Sequence, residues 1–146
     1  LKKRVKLKAR YDGSSQRIGD FAEYLVACDL ISKGYRIHMA SPGSFYDIIL
    51  DDNGRLYRIQ VKGSLKPKKL NCYKFNNRAK KVANYDLVAY VAIDQKKIAY
   101  EVARLVGERH ISIDRFESMT LKLAIETLDR QTFEITEHGE IDQTEV

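Results

Sequence analysis

The sequence predicts an α/β (α+β) domain, and three stretches carry that prediction. Residues 16–33 (QRIGDFAEYLVACDLISK) repeat apolar side chains at helical spacing. Residues 45–64 (FYDIILDDNGRLYRIQVKGS) hold two short apolar runs around Asp51-Asp52-Asn53-Gly54, the pattern of a hairpin. Residues 85–93 (YDLVAYVAI) are the most apolar run in the chain and read as a buried strand.

In chain order, residues 1–16 form a basic N-terminal arm in which only Val5 and Leu7 are candidates to pack. Asp12 to Ser15 is a loop whose serines suit helix N-caps. Ile18, Phe21, Ala22, Leu25 and Val26 give the helix a wide apolar face, and Gly34 closes it as a left-handed cap. Cys28 falls in this helix and is expected as a core thiol. Tyr35 to Ala40 reads as a strand and Ser41 to Ser44 as a Pro-Gly turn. In the hairpin's second run Tyr57, Ile59 and Val61 share one face, while Arg58, Gln60 and Lys62 share the other. Residues 71–76 (NCYKFN) suggest a short strand and 78–83 a helical turn. After the buried strand, Asp94 to Lys97 turns the chain into a strand over residues 98–103. Ile111 and Ile113 suggest one more strand, Asp114 an N-cap, and residues 115–128 an amphipathic helix. The chain thus divides into the arm, one domain over 17–130 and an acidic C-terminal tail over 131–146.

With 146 residues there is enough chain for one domain with its own core. No apolar run is long enough to span a membrane and no signal-peptide pattern is present, so a cytoplasmic protein without membrane contact is expected. Cys28 and Cys72 have neither metal-site nor disulfide-framework spacing. The net charge of +6 is unevenly placed. Residues 1–11 hold six Lys or Arg and no acid, and Asn53 to Tyr85 hold ten more and again no acid. Glu134 to Val146 hold five acids and no Lys or Arg. Such blocks point to a polyanion-binding face and an acidic tail.

Two further positions stand out. Asp47 opens the first hairpin run, fifteen residues before Lys62, so pairing of the two strands brings it beside Gln60 and Lys62. Glu23 borders the helix's apolar stripe at offsets of three, four and seven from Val26, Ala27 and Leu30, where a carboxylate needs a partner. Asp20 is a second acid on the same helix, placed in its first turn.

The run Asp47…Gln60-Val61-Lys62 resembles the PD-(D/E)XK nuclease superfamily, with Glu23 in a G-x-x-x-E segment matching the acid on that family's first helix. Two departures are visible: Pro42 is not adjacent to Asp47, and Gln60 replaces the usual acid. The resemblance spans roughly residues 17–105 and implies a restriction-endonuclease-like core, a helix followed by a mixed central sheet (αβββαβ) with flanking helices. It implies catalytic Glu23, Asp47, Gln60 and Lys62, with Mg²⁺ (Mn²⁺ substituting) held by Glu23, Asp47, Gln60 and the Val61 carbonyl. It also implies double-stranded DNA as partner and a homo-oligomer, dimer or tetramer.

Candidate DNA-binding residues are Lys2, Lys3, Arg4, Lys6, Lys8 and Arg10 in the arm, Ser41 and Ser44 in the turn, and Arg58, Lys66, Lys68, Lys69, Lys74, Arg78, Lys80 and Lys81. Gln-x-Lys followed by CYKF and YDLVAYV is similar to the group I intron homing endonuclease branch. The Holliday-junction resolvase branch is the alternative. Two other classes stay open: an inactive DNA-binding module with this fold, and an RNA-binding structural protein.

Overall fold

A computed structural model describes residues 15–76, 84–103 and 107–142, with side chains as far as residue 132. Helix α1 spans Ser15–Ser32, followed by strands β1 (Arg36–Met39), β2 (Ile48–Asp52) and β3 (Arg55–Ser64). Then come β4 (Cys72–Asn76), β5 (Leu87–Ala92), β6 (Lys97–Val102) and β7 (Glu108–Ser112). A 3-10 segment (Ile113–Ser118) and helix α2 (Leu121–Asp142) complete the described residues.

Helix α1 buries Ala22, Val26, Ala27 and Leu30. It stops at the expected glycine. Gly34 adopts φ 88°, and the Tyr35 and Gly34 amides donate to the carbonyls of Leu30 (3.1 Å) and Ile31 (2.9 Å). These two bonds are the pair that a Schellman cap requires. The expected core position of Cys28 is corrected: its thiol is exposed. One residue along a helix is a rotation of about 100°, which carries Cys28 off the buried stripe and onto the outer side with Tyr24 and Ile31.

The central sheet has the order β1-β2-β3-β5-β6 and is mixed, as expected. Only the β3–β5 pair is parallel. Strands β2 and β3 are joined by Asn53 and Gly54 alone, with φ of 51° and 92°. Both central residues being left-handed makes this a type I′ turn, whose twist matches that of the strands it joins.

Every residue of β5 is buried, because both faces of the sheet are covered. On one face α1 and the start of α2 pack against Ile48, Leu50, Tyr57, Ile59, Val61, Leu87, Ala89 and Val91. On the other, Val88, Tyr90, Ala92 and Ala99 meet Tyr73, Phe75, Ile111 and Phe116. The Phe75 and Tyr90 rings lie 4.9 Å apart. Strand β4 does not extend the central sheet. It pairs with β7 in a separate two-stranded ribbon over the second face.

The expected helix over 115–128 is corrected: that stretch divides between two elements, the 3-10 segment and α2. Phe116 and Met119 pack into the second cluster, while Leu121, Ala124, Ile125 and Leu128 pack with the first. One straight helix cannot serve both faces of a sheet, so the chain breaks between them. The Thr120 hydroxyl accepts the Leu123 amide at 3.2 Å and caps α2; Asp114 lies in the first turn of the 3-10 segment. Backbone helix continues through Asp142, so the boundary drawn at 130/131 falls inside α2. The basic arm and the expected turn at 78–83 lie outside the described residues. Among the described residues no helix is long and apolar enough to cross a membrane.

Candidate active site

Asp47 sits where β2 enters the sheet, held from both sides. Its amide donates to the Ile59 carbonyl at 2.9 Å, and its carbonyl accepts the Ala40 amide at 2.9 Å. Its carboxylate accepts the Val61 amide at 2.7 Å. In an extended strand a residue's N–H and C=O point to the same side, so the Val61 carbonyl lies along the edge that Asp47 occupies. The Asp47 amide meets the carbonyl of Ile59, the residue that Ile48 already faces, while its carbonyl turns to β1, so Asp47 is the extra residue of a β-bulge and the Ile48–Ile59 register does not run on through it.

Helix α1 delivers the second carboxylate. Glu23 lies within hydrogen-bonding reach of Asp47, and its carboxyl is pushed up to about 7. Burial is the largest cause, followed by the charge of Asp47, the hydrogen bond with Asp47 and the charge of Asp20. A cleft of about 360 Å³ opens here, lined by Gln16, Asp20 and Glu23 on one side and by Ala40 to Ser44, Tyr46 and Asp47 on the other. The Ser44 amide donates to the Ser41 carbonyl at 3.2 Å, and Gly43 at φ 86° follows Pro42, the arrangement of a type II turn.

Close packing of α1 on β3 depends on Gly63. A methyl group there would meet the Ala22 Cβ at 3.0 Å, the Ile93 Cδ1 at 3.2 Å and the Ile18 Cγ2 at 3.3 Å. Ala22 directly precedes Glu23, so the missing side chain sets how near the helical carboxylate comes to Asp47. Sequence reasoning passed over this glycine; its signal was a Gly inside a strand.

Gln60 and Lys62 are half-buried, and neither lines the Glu23 cleft. Strand alternation turns them to the opposite face from Ile59 and Val61, beside Val88 and Tyr90 of β5. The site therefore straddles the sheet: two carboxylates at the cleft, Gln60 and Lys62 across the strand, and the Val61 backbone between them.

The predicted contact residues fare unequally. Ser41 and Ser44 line the cleft, and Lys66, Lys68 and Lys69 follow the end of β3, with Lys66, Lys68 and Lys69 at its loop surface. Arg58 is clasped by Asp86, through Nε at 3.3 Å, Nη2 at 3.1 Å and its backbone amide at 2.8 Å. Lys74 pairs with Glu108 at 2.8 Å. Lys2, Lys3, Arg4, Lys6, Lys8, Arg10, Arg78, Lys80 and Lys81 lie outside the described residues. Sequence reasoning also missed the ion pair of Arg109 with buried Glu101, both bonds 3.0 Å, which latches the ribbon to β6. Pairing between separate strands leaves no local signal.

The family model for the PD-(D/E)XK endonuclease matches residues 13–137. The chain belongs to the PD-(D/E)XK endonuclease family. It is a nuclease, and its family implies a DNA substrate. Among solved structures, the bacterial homing endonuclease I-Ssp6803I is similar in fold, with a TM-score of 0.61 at 21% identity. That match covers 68% of this chain and 75% of the other. A comparison with curated proteins finds no match.

Nucleases of this family generally use divalent metal ions. Among the described residues no group of three or more His, Cys, Asp or Glu side chains is placed to hold one. What the cleft offers is two adjoining carboxylates and, at the strand edge beside them, the Val61 carbonyl, all of them oxygen donors, while the expected Gln60 amide lies on the other face of β3. That chemistry fits Mg²⁺ or Mn²⁺ and suits softer metals poorly.

Proposed function

We propose that this nuclease is a Mg²⁺-dependent DNA endonuclease, with Mn²⁺ able to substitute, and that it cuts at specific sites in the manner of a homing enzyme. The observation that carries the metal dependence is the contact between Glu23 and Asp47. Two carboxyl groups this close resist shared ionisation unless a cation joins them. Glu23, Asp47 and the Val61 carbonyl would hold the ion, which would polarise the phosphate and offset developing charge.

The remaining work falls to the chain's own groups. Asp47, fixed by the Val61 amide, keeps the carboxylate pair in one orientation. Lys62 positions or deprotonates the attacking water and offsets charge on the phosphate. Ser41 and Ser44 meet the backbone at the rim of the cleft, and the lysines beyond β3 supply salt-dependent grip. Two copies acting together would cut both strands, and a two-fold pair suits the symmetry of a duplex.

The test is a nicking assay on supercoiled plasmids and synthetic four-way junctions, with Mg²⁺, with Ca²⁺ and with EDTA. Cutting that needs Mg²⁺ and is lost in both Asp47→Ala and Lys62→Ala is the expected result. Preference for the junction would move the enzyme to the resolvase type. Folded protein that binds DNA and leaves every substrate intact would sink the catalytic assignment.

A further inference from the structure

The connection between β3 and β4 carries a feature that neither the core nor the catalytic residues use. Residues 65–70 read LKPKKL, with Lys66, Lys68 and Lys69 exposed. Leu70 is 100% exposed. Its backbone is nevertheless held firmly. The Lys69 carbonyl accepts the Cys72 amide at 2.6 Å, and the Cys72 carbonyl accepts the Lys68 amide at 2.9 Å. The Asn71 carbonyl is tied to the Ile113 amide at 2.8 Å.

Asn71 has φ 59°, which makes Lys69 to Cys72 a turn of type II form with Leu70 as its first central residue. That turn has a use for Asn at its third position and commonly takes Pro at its second; nothing in it calls for leucine. A single exposed leucine is ordinary on a protein surface. This one stands on a rigid tip, among three lysines, at a particular place. Antiparallel pairing puts the start of β2 and the end of β3 at the same end of the sheet. Asp47 and Lys62 are there, and the 65–71 loop leaves from there.

We propose that this loop is a wedge for duplex DNA: Lys66, Lys68 and Lys69 seat on phosphates, and Leu70 enters between neighbouring base pairs and unstacks them. The inference rests on the nuclease reading above. A base stack is an apolar surface bounded by anions, which is what a basic loop with an apolar tip complements. A tip already fixed by hydrogen bonds loses little freedom when it inserts. A second copy of this chain is a poorer occupant, because two such tips would bring like charges together.

The test is the linking number of closed plasmid relaxed by a metal-independent topoisomerase in EDTA, with binding measured separately by anisotropy. Wild type is expected to hold the plasmid unwound. Leu70→Ala should lose at least about fivefold of that unwinding per bound protein while affinity changes by less than about fivefold, and Leu70→Met should retain it. Replacing the three lysines with alanine should weaken binding and flatten its salt dependence. Unwinding by Leu70→Ala equal to wild type overturns the wedge, as does wild type that binds and cuts DNA without unwinding it. Loss of self-association in Leu70→Ala, seen by sedimentation, also overturns it and makes the tip a contact between copies. Failure of wild type to bind any DNA brings down the nuclease reading, and the wedge with it.

Discussion

Both ends of the β2–β3 hairpin gather acids beside a hollow, and they treat those acids in opposite ways. At the turn end the hollow is the larger, about 650 Å³, lined by Lys33 to Arg36 and Asp51 to Gly54. Bases accompany the acids there. Asp51 accepts the Gly54 amide at 2.8 Å, Arg55 grips Asp129 at 2.8 and 3.1 Å, and Lys33 pairs with Asp29 at 2.8 Å. At the other end the cleft is smaller, about 360 Å³. Its Glu23 and Asp47 pair with no Lys or Arg among the described residues, and burial, with Asp47 next to it, makes Glu23 hold its proton up to about 7. Size of hollow does not mark the proposed working end; acids without a paired base among the described residues do.

The contrast is broken most directly by neutralising acids at each end in turn. Glu23→Gln should cost about a hundredfold or more in nicking rate, because Glu23 is proposed as a charged ligand of the ion. Asp52→Asn, at the end where bases balance the acids, should stay within about threefold of wild type on the same plasmid. Equal losses from the two changes would mean that the hairpin's ends do not differ in function.

A second experiment shifts geometry and leaves charge alone. Gly63→Ala should destabilise the fold by about 1–3 kcal/mol through overpacking, and urea titration measures it. Nicking should fall by about tenfold more than stability explains, since α1 carries Glu23 away from Asp47. Adding Ala22→Gly removes the nearest obstructing atom and should restore nicking, although a helical glycine costs stability.

The smallest effect is on pH dependence without metal. Glu23 rises from its ordinary 4.5 to about 7 in the folded chain. Between those values the unfolded chain has released this proton and the folded chain keeps it, so stability falls as pH rises through the window. Urea midpoints in EDTA should therefore decline more steeply with pH for wild type than for Glu23→Gln. The same midpoints for Asp52→Asn should track wild type.

Much of this was legible in the sequence because its signals are local. Periodicity placed α1, Asn53-Gly54 placed the hairpin, and a continuous apolar run placed β5 between two covered faces. Hairpin pairing led to Asp47 beside Gln60 and Lys62, whereas the structure bonds its carboxylate to the amide of Val61 between them; Glu23 was marked by its place beside an apolar stripe. Other features depend on partners far along the chain. Strand β4 finds β7 across more than thirty residues, and nothing near Cys72 announces it. Gly63 gains its meaning only when α1 lies against it. Phe116 and Ile125 read as parts of one amphipathic helix because a linear pattern does not record which face of a sheet each residue will meet.

The clasp of Arg58 by Asp86 has a consequence for the order of assembly. A hairpin with a two-residue turn closes on the scale of microseconds, whereas a parallel partner must be recruited from a distant part of the chain. The Asp86 amide donates to the Arg58 carbonyl at 2.9 Å, one step before the first paired residues, Ile59 and Leu87. Capture at that point selects the register of the whole parallel pair, since a slip by one residue would turn every side chain of β5 to the wrong face. Asp47 and Val61 belong to the hairpin that forms early, while Tyr90 comes to Lys62 only after this capture. Half of the proposed catalytic centre is thus built before the strand that completes it arrives.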